Sequence, residues 1–409
     1  MENTYKQFVD ILSAGIRGNT VNNIYENVDF DKVIELAKSH KVEGIIYTTL
    51  KRNSLLNNID SNVVKQLNFS TFRTAIGQSN DIKNLSEVFK EFNKKEIPVI
   101  VLKGLVVRNF FKQPDLRTMS DADILVKKED VERTKELLIS LGYRELEDHH
   151  ASHHTALVHH KYPMIEVHWN LFKRDGFSKS LEDYEKLIWN DAINVNVGEA
   201  EVLSLGYEDL ALHLCMHMAA HLAATGFGVR QICDLVLLVE KKGNEIDWNK
   251  FIKKSREYGF EKFNLIMFIL CRDLFNMEIP KELDVSKIDN KIYIASLINE
   301  IFESGVHGKK DMTSRFGNQV AFNFEDKDKN ATVGACKRFF RFLFPPVSKM
   351  SHKYSYAKKI KILAPIAWVH HLICGVFSSH YSLRDKLTFM FKGPNVAVKR
   401  NKLLNWLEL

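Results

Sequence analysis

Asp121 and Asp123 stand one residue apart in the stretch RTMSDADILV and lead directly into an apolar run, Ile124-Leu125-Val126. Along an extended chain, side chains at i and i+2 share a face, so these two carboxylates lie side by side. Two anions at the head of a buried strand repel each other unless a cation sits against them. Hard oxygen donors in this arrangement suit Mg²⁺ or Mn²⁺. Glu166, in MIEVHW, offers a third carboxylate, and His168 shares its strand face. If the two strands are neighbours, three acids converge, as two-metal phosphoryl or nucleotidyl transfer requires. One ion then holds a triphosphate, and the other lowers the pKa of the attacking hydroxyl. His168 is placed to orient Glu166 from outside the metal shell.

A seat for phosphate is expected close by. Lys103-Gly104 closes the apolar run IPVIVL, and LVVRNFF follows as a short helix. A strand that runs through a glycine into a helix leaves backbone N–H groups free for a phosphate. Lys103 adds a positive charge there, and Arg117, four residues before Asp121, is a second candidate for the same triphosphate. Taken alone, an Asp-x-Asp pair is more simply a turn residue followed by a salt-bridged strand end. Its company favours nucleotide phosphates with a metal.

These residues must be positioned by a compact unit of strands and helices. Ile82, Leu85, Val88, Phe89 and Phe92 are spaced as one helix face, with Ser79 or Asn80 as its cap. IPVIVL (97–102) reads as a buried strand and Asp123–Val126 as a second. KEDVERTKELLISLGY is a helix stopped at Gly142, and TALVHH and PMIEVHWNL are two further strands, adjacent to each other. Before this unit the chain is helical, and after about residue 200 it is helical again. The expected division is an N-terminal helical unit (1–78), an α+β core (79–198), a helical domain (199–305) and a basic, aromatic-rich segment (306–409).

VIVLKGLVVRNFF, LRTMSDADILV, LLISLGY and IEVHWNL resemble a poorly characterised bacterial nucleotidyltransferase family of the polymerase-beta superfamily. LHLCMHMAAHL followed by RQICDLVLLV is similar to the helical segment after the core of that family. The matching pieces lie between about residues 30 and 240, and FLFPP at 342–346 resembles the family's C-terminal end. The resemblance implies a mixed α/β fold: a nucleotidyltransferase-type core with a mixed sheet, flanked by helical units. It implies that Asp121 and Asp123 bind metal, with Glu166 as the third acid of the catalytic set. Lys103 and Gly104 stand where the superfamily carries a Gly-Gly or Gly-Ser turn over the phosphates, and the lysine is a departure. His217, His221 and Asp234 are expected to face the cleft and position substrate. The activity implied is transfer of a nucleoside monophosphate from an NTP to an acceptor, with Mg²⁺ or Mn²⁺. The acceptor stays open among a peptide, a sugar, a small molecule and RNA.

The histidines pose the main alternative. Seven of the sixteen fall in DHHASHHTALVHHKYPMIEVHW, but as adjacent pairs, which point apart on a strand and lack HExxH or HxH spacing. A solvated polar loop is the simpler reading. His213, His217 and His221 form a helical stripe, with Asp234 on the following helix. A His/Asp metal-dependent hydrolase built there is one rival function, and a non-catalytic nucleotide-binding scaffold is another.

Composition narrows the rest. No run of eighteen uncharged apolar residues occurs, the N-terminus lacks a signal-peptide pattern, and the five cysteines are scattered without a CxxC. No transmembrane segment and a cytoplasmic location are expected. The net charge of +7 hides an asymmetry: residues 337–409 hold fourteen Lys/Arg against Asp385 and Glu408, or +12, so the remainder sums to −5. Such a segment fits an anionic partner, nucleic acid or membrane surface, unless it is simply a solvated helical face.

Overall fold

Asp60 accepts hydrogen bonds from the backbone N–H groups of Asn62 and Val63, and this cap starts a helix that runs unbroken from Ser61 to Lys94. The cap expected at Ser79 or Asn80 is therefore interior. Only the last third of this helix has a fully buried apolar face, with Leu85, Val88, Phe89 and Phe92; Phe69, Phe72 and Ile76 further back are exposed. Apolar periodicity marks burial, so it located the buried third and missed the rest. The computed structural model describes residues 3–21, 28–146, 154–171, 187–288, 291–306, 337, 339–377 and 382–409. Three shorter helices, Asn3–Arg17, Phe30–Ser39 and Glu43–Arg52, precede the long one.

Seven strands form one mixed sheet: β1 (Ile100–Val101), β2 (Asp121–Leu125), β3 (Arg144–Glu145), β4 (His154–Val158), β5 (Met164–His168), β6 (Ile193–Val197) and β7 (Ala200–Ser204). Their spatial order is β3-β4-β5-β2-β1-β7-β6. β1 pairs antiparallel with β2 and parallel with β7; β2 pairs parallel with β5, which pairs antiparallel with β4. The IPVIVL run is buried almost throughout, yet only Ile100 and Val101 form ladder pairs. Its flanking residues satisfy their backbone groups singly, as when Leu102 N–H donates to the Asp123 carbonyl. β2 starts at Asp121, two residues before the expected start. The helix Val131–Ser140 ends as expected at Gly142, whose φ of +94° favours glycine.

Helices Val229–Lys242, Trp248–Glu257 and Glu261–Phe275 carry much of the remaining core, including Phe251, Phe263 and Phe268. The chain divides into two compact units, 1–218 with 228–306 and 219–227 with 307–409. In the second, Met350, Tyr354, Ala357 and Ala367 form a small core, and buried Arg400 donates to the Leu222 carbonyl. The polar stretch at 308–330 and His149, His150 and His153 lie outside the described residues. Among the described residues no helix is long and apolar enough to cross a membrane.

Fully buried His40 links the N-terminal helices to the later ones, because its Nδ1 accepts the Val229 N–H at 3.1 Å. Burial pushes its pKa down from 6.5 to about 4. The folded state therefore binds this proton less readily than the unfolded chain. The stabilisation is complete above pH 6.5, declines as pH falls towards 4, and is gone below that. Denaturant titrations between pH 7 and pH 4 are expected to show this group alone removing roughly 3 kcal/mol, with a shallower decline in His40→Gln.

Candidate active site

Parallel pairing of β2 with β5 sets Asp123 opposite Glu166 and Leu125 opposite His168. The third acid thus lies on the strand next to the aspartates. Asp123 is buried, and its Oδ1 accepts from Lys103 Nζ and meets His168 Nε2, each at 3.1 Å. His168 Nε2 is also 3.5 Å from Glu166 Oε2. The cations facing the buried carboxylate are therefore a lysine from the end of β1 and a histidine from the end of β5. Burial would raise the Asp123 pKa; Lys103 and the His168 hydrogen bond outweigh it and hold the carboxyl well below the usual range. His168 is lowered by burial but raised further by Asp123 and Glu166, so it favours the protonated form. The His168 hydrogen bond pulls Glu166 down against burial. Asp121 behaves oppositely: burial, then the neighbouring Asp123 charge, push it up, although Ser120 Oγ donates to it at 2.9 Å.

Lys103 reaches the site through an unusual backbone. Its φ of +45° and ψ of −115° lie where L-residues are strained. The conformation turns β1 sharply into the short helix Gly104–Val107 and directs the ammonium back over β2. Asp123, Glu166 and His168 offer ligand atoms within 4.8 Å of one another, the one such metal-capable group among the described residues. Two carboxylates and an imidazole fit a divalent ion, with Asp121 on the same strand face.

Arg117 and Asp234 are placed differently from the sequence expectation. Arg117 Nη2 and Nε donate to the two Asp234 oxygens at 2.6 and 3.1 Å, and both side chains are buried. The guanidinium expected on a triphosphate and the carboxylate expected on substrate thus neutralise each other. Gly104 has a related role, since a Cβ there would collide with the Arg117 guanidinium. Burial lowers the Arg117 pKa, but Asp234, with help from Asp121 and Asp123, raises it overall.

The loop before Asp121 is pinned by residues to which the sequence assigned no such role. Gln78 exchanges two hydrogen bonds with the backbone of Met119, at 2.8 and 3.0 Å. Arg230 donates to the carbonyl and hydroxyl of Thr118, and that hydroxyl donates to the Lys41 carbonyl. These partners are remote in sequence, so no local pattern reports them. On the helix Tyr207–Ala224, His213 is buried and kept neutral, its pKa pushed down to about 3 chiefly by burial. His217 acts electrostatically on Asp123, and His221 lies one turn further along that helix. The His154 ring lies tilted against His168, centroids 5.0 Å apart.

The model of a family described as uncharacterised nucleotidyltransferases matches residues 26–276. The chain belongs to that family. No curated protein sequence matches this nucleotidyltransferase significantly. Among solved structures it is similar to the antibiotic-resistance factor ANT(2'')-Ia, with 11% identity over 44% of this chain and 94% of that one, TM-score 0.32. It is also similar to the lincosamide antibiotic adenylyltransferase LnuA in its lincomycin-bound form, with 17% identity over 38% of this chain and 94% of that one, TM-score 0.27.

The Arg117–Asp234 pair yields a direct test. Removing one partner leaves the other charged and buried, at a cost of about 3–5 kcal/mol. Asp234→Asn is therefore expected to lower the urea midpoint sharply, whereas a residue that only positions substrate would leave it unchanged.

Proposed function

We propose that this nucleotidyltransferase moves a nucleoside monophosphate from an NTP to an acceptor nucleophile, with Mg²⁺ or Mn²⁺, at the head of β2 and β5. The observation that carries this reading is the pairing of Asp123 with Glu166, with Lys103 and His168 converging on Asp123. Asp121, Asp123 and Glu166 would hold the metal, with His168 as an added nitrogen donor or a positioning group for both acids. When bound, a divalent ion supplies Lewis-acid polarisation of the phosphates and a more acidic nucleophile. The protein's own groups do the rest. Lys103 carries the mobile charge nearest the acids and contacts the phosphates. Glu166, hydrogen-bonded to His168, is the base candidate for the acceptor proton. His217 adds positive potential beside Asp123 when protonated. The Arg117–Asp234 pair and Gly104 hold the loop rather than the nucleotide.

The acceptor is left as a class, a hydroxyl-bearing peptide, sugar, small molecule or RNA. Incubation with each labelled NTP and a cell extract, followed by isolation of whatever becomes labelled, identifies it.

Asp123→Asn is expected to abolish divalent-metal-dependent label transfer while the circular dichroism spectrum is retained; full activity in that variant overturns the reading. Lys103→Met and Lys103→Gly are both expected to weaken nucleotide binding about tenfold or more, as loss of a charged hydrogen bond does. The two should differ in stability. Glycine adopts the +45° φ without strain, so Lys103→Gly is expected to melt above Lys103→Met.

A further inference from the structure

Apart from its catalytic core, the chain carries a helix whose solvent side is inverted. Ala364–Phe377 (APIAWVHHLICGVF) has no Asp, Glu, Lys or Arg in fourteen residues. One side of it is anchored: Ala367 is fully buried in the small core with Met350, Tyr354 and Ala357, and Trp368 Nε1 donates to the Pro345 carbonyl at 2.9 Å. The opposite side carries Ile366, Val369, Ile373 and Phe377, spaced by three, four and four residues and therefore on one stripe. These are 59%, 57%, 50% and 83% exposed, and Ile362 and Ile360, just before the helix, are 85% and 54% exposed. A helix solvated on that side would place charges there. Charged residues precede it in the chain: Lys353, Lys358 and Lys359 are exposed and belong to a segment (337–409) of net charge +12.

An exposed apolar stripe that follows exposed lysines in a strongly basic segment has the chemistry of an interfacial helix, with aliphatic and aromatic side chains entering the acyl boundary and lysines on anionic headgroups. At fourteen residues the helix is short of a span, and it is held by its other side to the folded unit. We propose that the face formed by Ile362, Ile366, Val369, Ile373 and Phe377, together with the exposed Lys353, Lys358 and Lys359 that precede it in the basic segment, docks the protein peripherally on an anionic lipid surface. The charge complementarity decides among occupants. A purely apolar partner would not call for the preceding lysines, and a nucleic acid would not call for the aliphatic stripe. The inference is independent of the nucleotide chemistry, because none of these residues belongs to the site on β2 and β5.

The test is co-sedimentation of the full-length protein with phosphatidylcholine vesicles, with and without phosphatidylserine. Binding is expected with the anionic vesicles, to weaken with added salt, and to fall about tenfold or more in Ile366→Asp/Ile373→Asp. Lys358→Gln/Lys359→Gln is expected to weaken it as well, and both variants should keep the wild-type melting curve and label-transfer activity. Absence of binding to phosphatidylserine vesicles overturns the proposal. So does a stripe-dependent dimer in solution in place of vesicle binding, or binding of RNA that ignores the Ile366/Ile373 change.

Discussion

Asp123 is a carboxylate held out of water at the head of a central strand, and the site is organised around the cations that make this tolerable. An isolated anion in that position would be protonated or would destabilise the strand. Lys103 and His168 both approach its Oδ1 at 3.1 Å, from opposite neighbours of β2. Their convergence depends on the sheet order, because β1 and β5 flank β2. It also depends on the left-handed backbone at Lys103, without which the ammonium would follow a different direction from β1. Strain at one residue is thus balanced by its ion pair with a buried carboxylate.

A second buried ion pair fixes what the first one leaves loose. Arg117 and Asp234 join the loop before β2 to the helix Val229–Lys242, and Gly104 provides the space in which the guanidinium lies. Gln78, Arg230 and the Lys41 carbonyl hold Thr118 and Met119 on the same loop. The start of β2, where Asp121 and Asp123 emerge, is therefore clamped by two helices and the turn at Lys41. In the metal-binding role proposed above, such clamping matters, since small displacements of metal ligands are costly in rate.

Much of the site could be read from the chain. The i, i+2 spacing of Asp121 and Asp123, the Glu166/His168 face and the nearby Lys103 are local signals, and the structure places Glu166 and Lys103 beside Asp123. The pairing of Arg117 with Asp234 was not legible for one reason: a charged residue near a motif has the same appearance whether it faces a ligand or a buried partner 117 positions away. Gln78 had no visible signal, as its only distinction is the backbone it meets across 41 residues. The start of the long helix was placed too late because its middle, with Phe69, Phe72 and Ile76, lies open to solvent, where apolar periodicity fades.

The sequence by itself determined the alternation of strand and helix through the core, the identity of the acids, and the concentration of positive charge after residue 337. Those properties depend on spacing along the chain and on residue type, which are local quantities. Tertiary structure decided which charges neutralise each other and which stay available. Strand order put Lys103 and His168 on Asp123, and helix packing turned Arg117 towards Asp234. It also decided which side of Ala364–Phe377 is covered. Pairing and covering are properties of distance in space, and a folded chain brings together residues whose separation in sequence carries no record of it.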